Sequence, residues 1–217
     1  VWFNGPRSAV RPRRAERQAF PVPNTTDERK YVVQNLERAM RILFDLAGRG
    51  QACTLEELAS GHDVSKASLL RILRTLELEG VVLREGDAYQ LGPRVLDLSH
   101  GYLASLELDQ VARPPMRRLA EATDQTVSLA VLDGLDVVYI GIEKARRELG
   151  IQGQIGGRHP ANATALGKVM LADLDEEDLR RRLDGAELPR LTHRTLADPD
   201  ALRSHLERVH EQGYALD

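Results

Sequence analysis

Cysteine, aromatic residues and long apolar runs are all scarce in this chain of 217 residues. A lone cysteine, Cys53, cannot close an intramolecular disulfide, which excludes a disulfide-stapled secreted fold and fits a reducing, cytoplasmic setting. Cys53 reads as part of a loop before a helix, with no base beside it to activate a thiolate, so it packs or sits exposed. Phe, Trp and Tyr make up only 4% of the residues, so the cores must come from Leu, Val, Ile and Ala. No apolar run approaches the roughly 20 residues of a membrane span, and no secretory pattern of basic and then apolar residues is visible at the start. Catalytic signatures are absent too: there is no Gly-x-Ser-x-Gly elbow, no His-Glu-x-x-His and no Cys beside a His. The histidines at 62, 100, 159, 193, 205 and 210 show no pair four apart and no acid at metal-ligand spacing. The expectation is a protein that is not an enzyme and holds no metal and no cofactor.

Charge is unevenly spread. Residues 1–94 carry 15 Lys and Arg against 12 Asp and Glu, whereas residues 95–217 carry 15 against 21. A basic front and an acidic back fit a chain that meets phosphate at one end only. Residues 1–30 read as a disordered basic arm, broken by Pro6, Pro12, Pro21 and Pro23 and carrying Arg7, Arg11, Arg13, Arg14 and Arg17. The arm either adds unspecific attraction to phosphate or is an overlong start, since the chain begins with Val1.

From Val33 the pattern turns helical, with Leu36, Met40, Leu43 and Ala47 as its apolar stripe and Gly48 and Gly50 as its end. Thr54-Leu-Glu-Glu57 reads as a capping box that starts a short helix to Ala59, and Gly61 supplies the turn. Val64 plugs the corner and Ser65 caps the next helix, about Lys66 to Glu79. In that helix Leu69, Ile72, Leu73 and Leu76 fall within one arc. The opposite side presents Ala67, Arg71 and Arg74, flanked by Ser68 and Thr75 on one edge and Lys66 on the other. A major-groove helix needs this mixture: Arg grips guanine edges, hydroxyls reach bases or phosphate, and small residues permit close approach. Glu77 and Glu79 fall at the far end, away from that surface. Gly80 ends the helix, Val81-Val-Leu83 and Ala88-Tyr-Gln-Leu91 read as strands, and Glu85-Gly86-Asp87 turns between them, with Arg84 near the tip. Helix, turn, helix and hairpin make a winged helix-turn-helix over residues 31–93. The surface assigned to DNA is Thr54, Ser65, Lys66, Ala67, Ser68, Arg71, Arg74 and Arg84.

Residues 94–107 read as a linker helix whose Val95, Leu96, Leu98, Tyr102 and Leu103 are too many for a free-standing helix, and a second protomer would bury them. Residues 108–217 alternate. A helix over Ala112–Ala122 faces Met116, Leu119 and Ala120 inward, and strands at 126–132 and 137–140 flank a turn at Asp133-Gly134. A third strand falls near 149–151, and helices run from Ala163 to Leu174, from Glu176 to Leu183 and from Asp198-Pro199 to Gly213. The fold class is α+β: a winged helix-turn-helix, a linker helix and a mixed sheet flanked by helices.

Three stretches resemble the IclR family of bacterial regulators. They are Val33-Gln-Asn-Leu-Glu-Arg-Ala-Met-Arg-Ile-Leu43; the run from Val64 to Gly80 with Tyr89-Gln-Leu-Gly-Pro-Arg94; and Ile155-Gly-Gly-Arg-His-Pro-Ala-Asn-Ala-Thr-Ala-Leu-Gly-Lys168 with Gly213-Tyr-Ala-Leu-Asp217. The resemblance covers about residues 33–217 and implies homodimers or dimers of dimers on partly palindromic operator DNA. It also implies a GAF-like domain that binds a small organic acid or an aromatic catabolite. Carried over by position, the pocket residues are Ile151, His159, Ala165 and Leu166, with Asp217 as a polar contact. Strand residues that complete the family's pocket would follow Asp217, so the effector domain is expected to be incomplete here.

Other readings stand beside these. Gly156-Gly157-Arg158 is a tight turn, a phosphate cradle, or part of an acid pocket in which Arg158 or the helix start near Ala163 meets a carboxylate. Gly167-Lys168 is followed by Val, so the full P-loop pattern is missing. The run Asp175-Glu-Glu-Asp178 reads as favourable charge at a helix start. A winged-helix protein-contact module that ignores DNA predicts that Arg71 and Arg74 pair with acids. An enzyme with an accessory winged domain lacks its catalytic constellation.

Overall fold

The computed structural model describes residues 28–106, 108–144 and 153–217. The basic arm over 1–30 lies almost wholly outside them. The chain divides between Glu107 and Leu108 into two compact units.

The first unit runs from a 3-10 turn, Glu28–Tyr31, through α1 (Gln34–Arg49), β1 (Cys53–Thr54), α2 (Leu55–Gly61), α3 (Lys66–Leu78), β2 (Val82–Glu85), β3 (Ala88–Leu91) and α4 (Val95–Ser105). Its sheet is antiparallel in the order β1-β3-β2. The capping box forms as read: Thr54 accepts from the Glu57 N–H while its own N–H donates to the Glu57 carboxylate at 2.7 Å. Ser65 caps α3, accepting from the Ser68 N–H. Leu69, Ile72 and Leu73 are buried against Ile42, Leu46 and Leu58, and Val64 and Leu76 pack on that core.

Four sequence expectations change. The core side of α1 is Ile42 and Leu46 with Ala39 and Leu43, while Leu36, Met40 and Ala47 are exposed. Apolar residues surround much of α1, so periodicity alone left its inward side open. Gly61 continues α2, and the turn is made by the residues after it. Cys53 is in a strand, opposite Tyr89, and is 4% exposed, so burial pushes its thiol up. A two-residue strand carries no period, which is why it read as loop. Finally, Glu77 is not set apart from the cationic face, because it pairs with Arg74.

The wing is seated on α3 by two glycines. The Gly92 N–H donates to the Val81 carbonyl, and a Cβ at Gly92 would stand 2.3 Å from the Gly80 carbonyl oxygen. On the other flank, Asp45 of α1 bridges the Arg49 guanidinium at 2.9 Å and His62 Nε2, in the turn after α2, at 3.1 Å. The Arg49 hydrogen bond holds the Asp45 carboxyl below its ordinary range, with His62 adding to it against the effect of burial. A depressed carboxylate contributes stability that is full above the ordinary Asp value of about 4 and is lost as pH falls through the folded-state value. Asp45→Asn is therefore expected to cost about 1 kcal/mol at pH 7. In urea titrations the gap between parent and variant should close as the pH is lowered below about 4.

The second unit holds α5 (Leu108–Thr123), β4 (Val127–Asp133), β5 (Asp136–Glu143), β6 (Arg158–Pro160), a 3-10 turn (Ala161–Ala163), α6 (Ala165–Ala172), α7 (Glu176–Leu183) and α8 (Pro199–Gln212). Its described sheet is antiparallel in the order β4-β5-β6. The third strand expected near 149–151 lies outside the described residues. Arg158, read as the last residue of the turn Gly156-Gly157-Arg158, begins the strand Arg158–Pro160, which pairs with β5. α5 begins four residues earlier than expected and runs through Pro114 and Pro115. The helix expected from Ala163 starts two residues later, capped by Thr164, whose hydroxyl accepts from the Gly167 N–H.

Leu171, Leu179, Leu183, Leu202 and Leu206 bury against Ala130 and Val137 of the sheet and Ala161. Asp175 and Asp198 cap α7 and α8, and Glu176, Glu177 and Asp178 occupy the first turn of α7 as the dipole favours. The carboxamide of Asn162, 3% exposed, donates to the carbonyls of Pro189 and Leu196 and so ties the long α7–α8 connection to the core. No described helix is long and apolar enough to cross a membrane.

Candidate functional site

α3 presents one outward side built on the residues assigned to DNA. Ala67, Arg71, Arg74 and Lys66 are exposed, and Ser68 is half-buried at the helix start. Their electrostatic states differ. Lys66 Nζ donates to Glu56 of α2 at 2.9 Å and holds that carboxyl below its ordinary range. Arg74 donates to Glu77 at 2.8 Å. Arg84 donates to the Gly86 carbonyl at 2.8 Å, lies 3.5 Å from the Asp87 carboxylate, and sits 5.7 Å from the Tyr89 ring centroid. The Arg71 carbonyl accepts from the Thr75 hydroxyl, but its exposed guanidinium, with five N–H donors, has no hydrogen-bond or ion-pair partner among the described residues. The Thr54 and Ser65 hydroxyls each accept a capping N–H, and that of Thr54 also donates to the Glu57 carboxylate. Glu56 and Glu77 are the residues that sequence reasoning missed here. The spacing of 74 and 77 is legible as a helical pair; Glu56 and Lys66 meet only through the fold.

The residues carried over to the effector region fall into separate settings. Ile151 lies outside the described residues. Arg158 and His159 are neighbours on β6, so they point to opposite sides of the sheet. Arg158 is drawn onto the β4–β5 hairpin, 2.7 Å from Asp133 and 3.3 Å from Asp136. His159 meets Tyr139 edge to face, with ring centroids 5.4 Å apart. Burial raises the Tyr139 phenol, and the Asp217 carboxylate raises it further. Asp217 lies 3.3 Å from Lys168 Nζ, which also donates to the Leu216 carbonyl at 2.6 Å. Ala165 and Leu166 open α6, and as first-turn residues their N–H groups have no acceptor within the helix. Tyr139 and Leu166 pack on the same core. His159, Tyr139 and Asp217 thus share a neighbourhood, and Arg158 stands apart from it. The Gly156 and Gly157 N–H groups donate to the Tyr139 and Gln154 carbonyls, so that turn is no open phosphate cradle.

A winged helix-turn-helix whose second helix exposes a cationic face, followed by an α+β unit, is the architecture of a DNA-binding transcriptional regulator. Comparison with known proteins gives the particular family. Residues 35–86 match the IclR helix-turn-helix domain and residues 100–217 match the bacterial transcriptional regulator IclR C-terminal domain. The chain is 34% identical over 188 residues to the HTH-type transcriptional regulator XynR of Escherichia coli K12, covering 86% of this chain and 75% of that protein. Its fold is similar to the crystal structure of an IclR transcriptional regulator from Alicyclobacillus acidocaldarius (TM-score 0.71, 30% identity, 85% of this chain and 76% of that one). It is also similar to an IclR homologue from Microbacterium hydrocarbonoxydans complexed with 4-hydroxybenzoate (TM-score 0.71, 26% identity, 83% and 75%). The chain belongs to the IclR family of bacterial transcriptional regulators.

Proposed function

We propose that α3 reads a specific operator in the major groove, that residues from 108 onward bind a small organic acid or aromatic catabolite, and that the protein acts as a cytoplasmic homodimer or dimer of dimers. The observation that carries the DNA reading is the exposed Arg71, whose side chain has no partner among the described residues, on a helix face that it shares with Ala67, Ser68, Thr75 and the carboxylate-paired Lys66 and Arg74. Under the protein-contact alternative Arg71 would be paired with an acid; only Arg74 is. The ligand reading is supported by the first-turn N–H groups of Ala165 and Leu166, which favour a carboxylate. The neighbourhood of His159, Tyr139 and Asp217 would add ring and hydrogen-bonding contacts, and the 4-hydroxybenzoate bound by a related regulator supports an aromatic acid as the class of ligand.

Two uncovered apolar surfaces support self-association. Leu36, Met40 and Phe44 line one side of α1, and α4 exposes Leu96, Leu98 and Tyr102 with no buried residue of its own. Ligand would then shift the population between dimer geometries that set the reading helices at different spacings.

The test is binding to labelled DNA from the protein's own upstream region and to unrelated DNA at two salt concentrations. The expected outcome is preference for the upstream fragment, with affinity falling at least about tenfold between 50 and 200 mM salt. Absence of binding at the lower salt would favour the protein-contact reading.

A further inference from the structure

The cations assigned to DNA share a pattern that the operator-reading role does not require. Lys66, Arg74 and Arg84 each have a carboxylate of their own, on Glu56 at 2.9 Å, Glu77 at 2.8 Å and Asp87 at 3.5 Å. Arg71 alone among them has none within the described residues. A carboxylate beside a guanidinium or ammonium occupies the donors that a phosphate would take. It also repels the incoming phosphate, so each exchange of carboxylate for phosphate gains less than binding by a free cation would.

Resting on the reading of α3 as the DNA helix, we propose that Glu56 and Glu77 are specificity-determining residues. They occupy Lys66 and Arg74 in the free protein and hold down affinity for DNA of any sequence, leaving discrimination to the unoccupied Arg71. Unrelated DNA is held essentially by phosphate contacts alone, with no base contact to fix the register, so the helix settles where its cations meet the most phosphate; on the operator the base-edge contact of Arg71 fixes the register. Occupying Lys66 and Arg74 therefore costs the unrelated complex more and raises the ratio of operator to unrelated DNA binding without adding a contact. Glu79 serves as the internal reference: it is an exposed acid just past the end of α3 whose side chain pairs with no cation among the described residues.

The experiment compares the full chain with Glu56→Gln, Glu77→Gln, their double variant and Glu79→Gln, on upstream and unrelated DNA across a salt series. Each release of a cation is expected to tighten unrelated-DNA binding by roughly twofold to fivefold at low salt. The double variant should gain about tenfold, steepen the logarithmic salt slope by about one to two, and lose part of the operator preference. Glu79→Gln should change little. Equal gains in Glu79→Gln and the paired-acid variants would overturn the proposal in favour of bulk charge. So would a double variant that binds unrelated DNA like the parent, even where the parent reads its operator and Arg71→Ala impairs it; that outcome leaves the DNA reading standing. A parent without salt-sensitive binding overturns both. Equal unfolding midpoints across the variants keep folding out of the comparison.

Discussion

Gly167→Ala is expected to destabilise the unit that begins at Leu108 by about 3 kcal/mol and to lower its melting temperature by about 10 °C or more. A Cβ at Gly167 would lie 2.3 Å from the Ala161 Cα and 2.4 Å from its carbonyl oxygen. Both are backbone atoms in the 3-10 turn just before α6, so no rotamer change can relieve the clash. Ala161 is fully buried and its N–H donates to the Leu135 carbonyl at 2.7 Å, which holds the turn against the sheet hairpin. The helix must move away from the sheet, opening a core that contains Leu171, Leu202 and Leu206. Helix propensity works the other way, favouring Ala over Gly by about 1 kcal/mol, and does not offset this. Gly48→Ala provides the contrast, because nothing lies within 4 Å of its added Cβ in α1. It should be neutral or stabilising by up to about 1 kcal/mol. Calorimetry of the two variants checks both; an unchanged transition in Gly167→Ala would mean that the turn gives way more easily than its burial implies.

Arg71→Ala should weaken operator binding by roughly tenfold to a hundredfold, as for one lost bidentate contact to guanine. Binding to unrelated DNA should change far less, and discrimination at one base position should relax. Stability should hardly move, since the side chain is exposed and bonds to nothing described. Arg71→Lys is informative alongside it: a compact ammonium keeps the charge but not the fork, so affinity for phosphate survives while base preference falls. Gel shifts on operator variants with single base changes read the outcome. An Arg71→Ala protein that binds operator like the parent places the reading surface elsewhere on α3 or the wing.

Much of this architecture is local and therefore legible in order along the chain. The Thr54–Glu57 capping box, the Ser65 cap, the Asp175 and Asp198 caps and the buried arc of α3 each depend on residues within a turn or two of one another. Short-range hydrogen bonding and a strong 3.6-residue period determine them before any tertiary contact forms. The exposure of the small, hydroxyl and Arg residues opposite the α3 stripe was legible for the same reason.

Only the tertiary structure decided the rest. α1 has apolar residues on several sides, and packing against α3 and the wing selected Ile42 and Leu46 over Leu36 and Met40. β1 and β6 are two and three residues long, too short to show alternation, and exist because Tyr89 and Val137 lie opposite them. The Asn162 staple, the Arg158 pairs with the hairpin and the Lys66–Glu56 pair join residues ten to thirty-four positions apart. A sequence determines by itself what neighbours can settle within a helical turn; long-range partners, and the charges they neutralise, appear only once the chain has closed on itself.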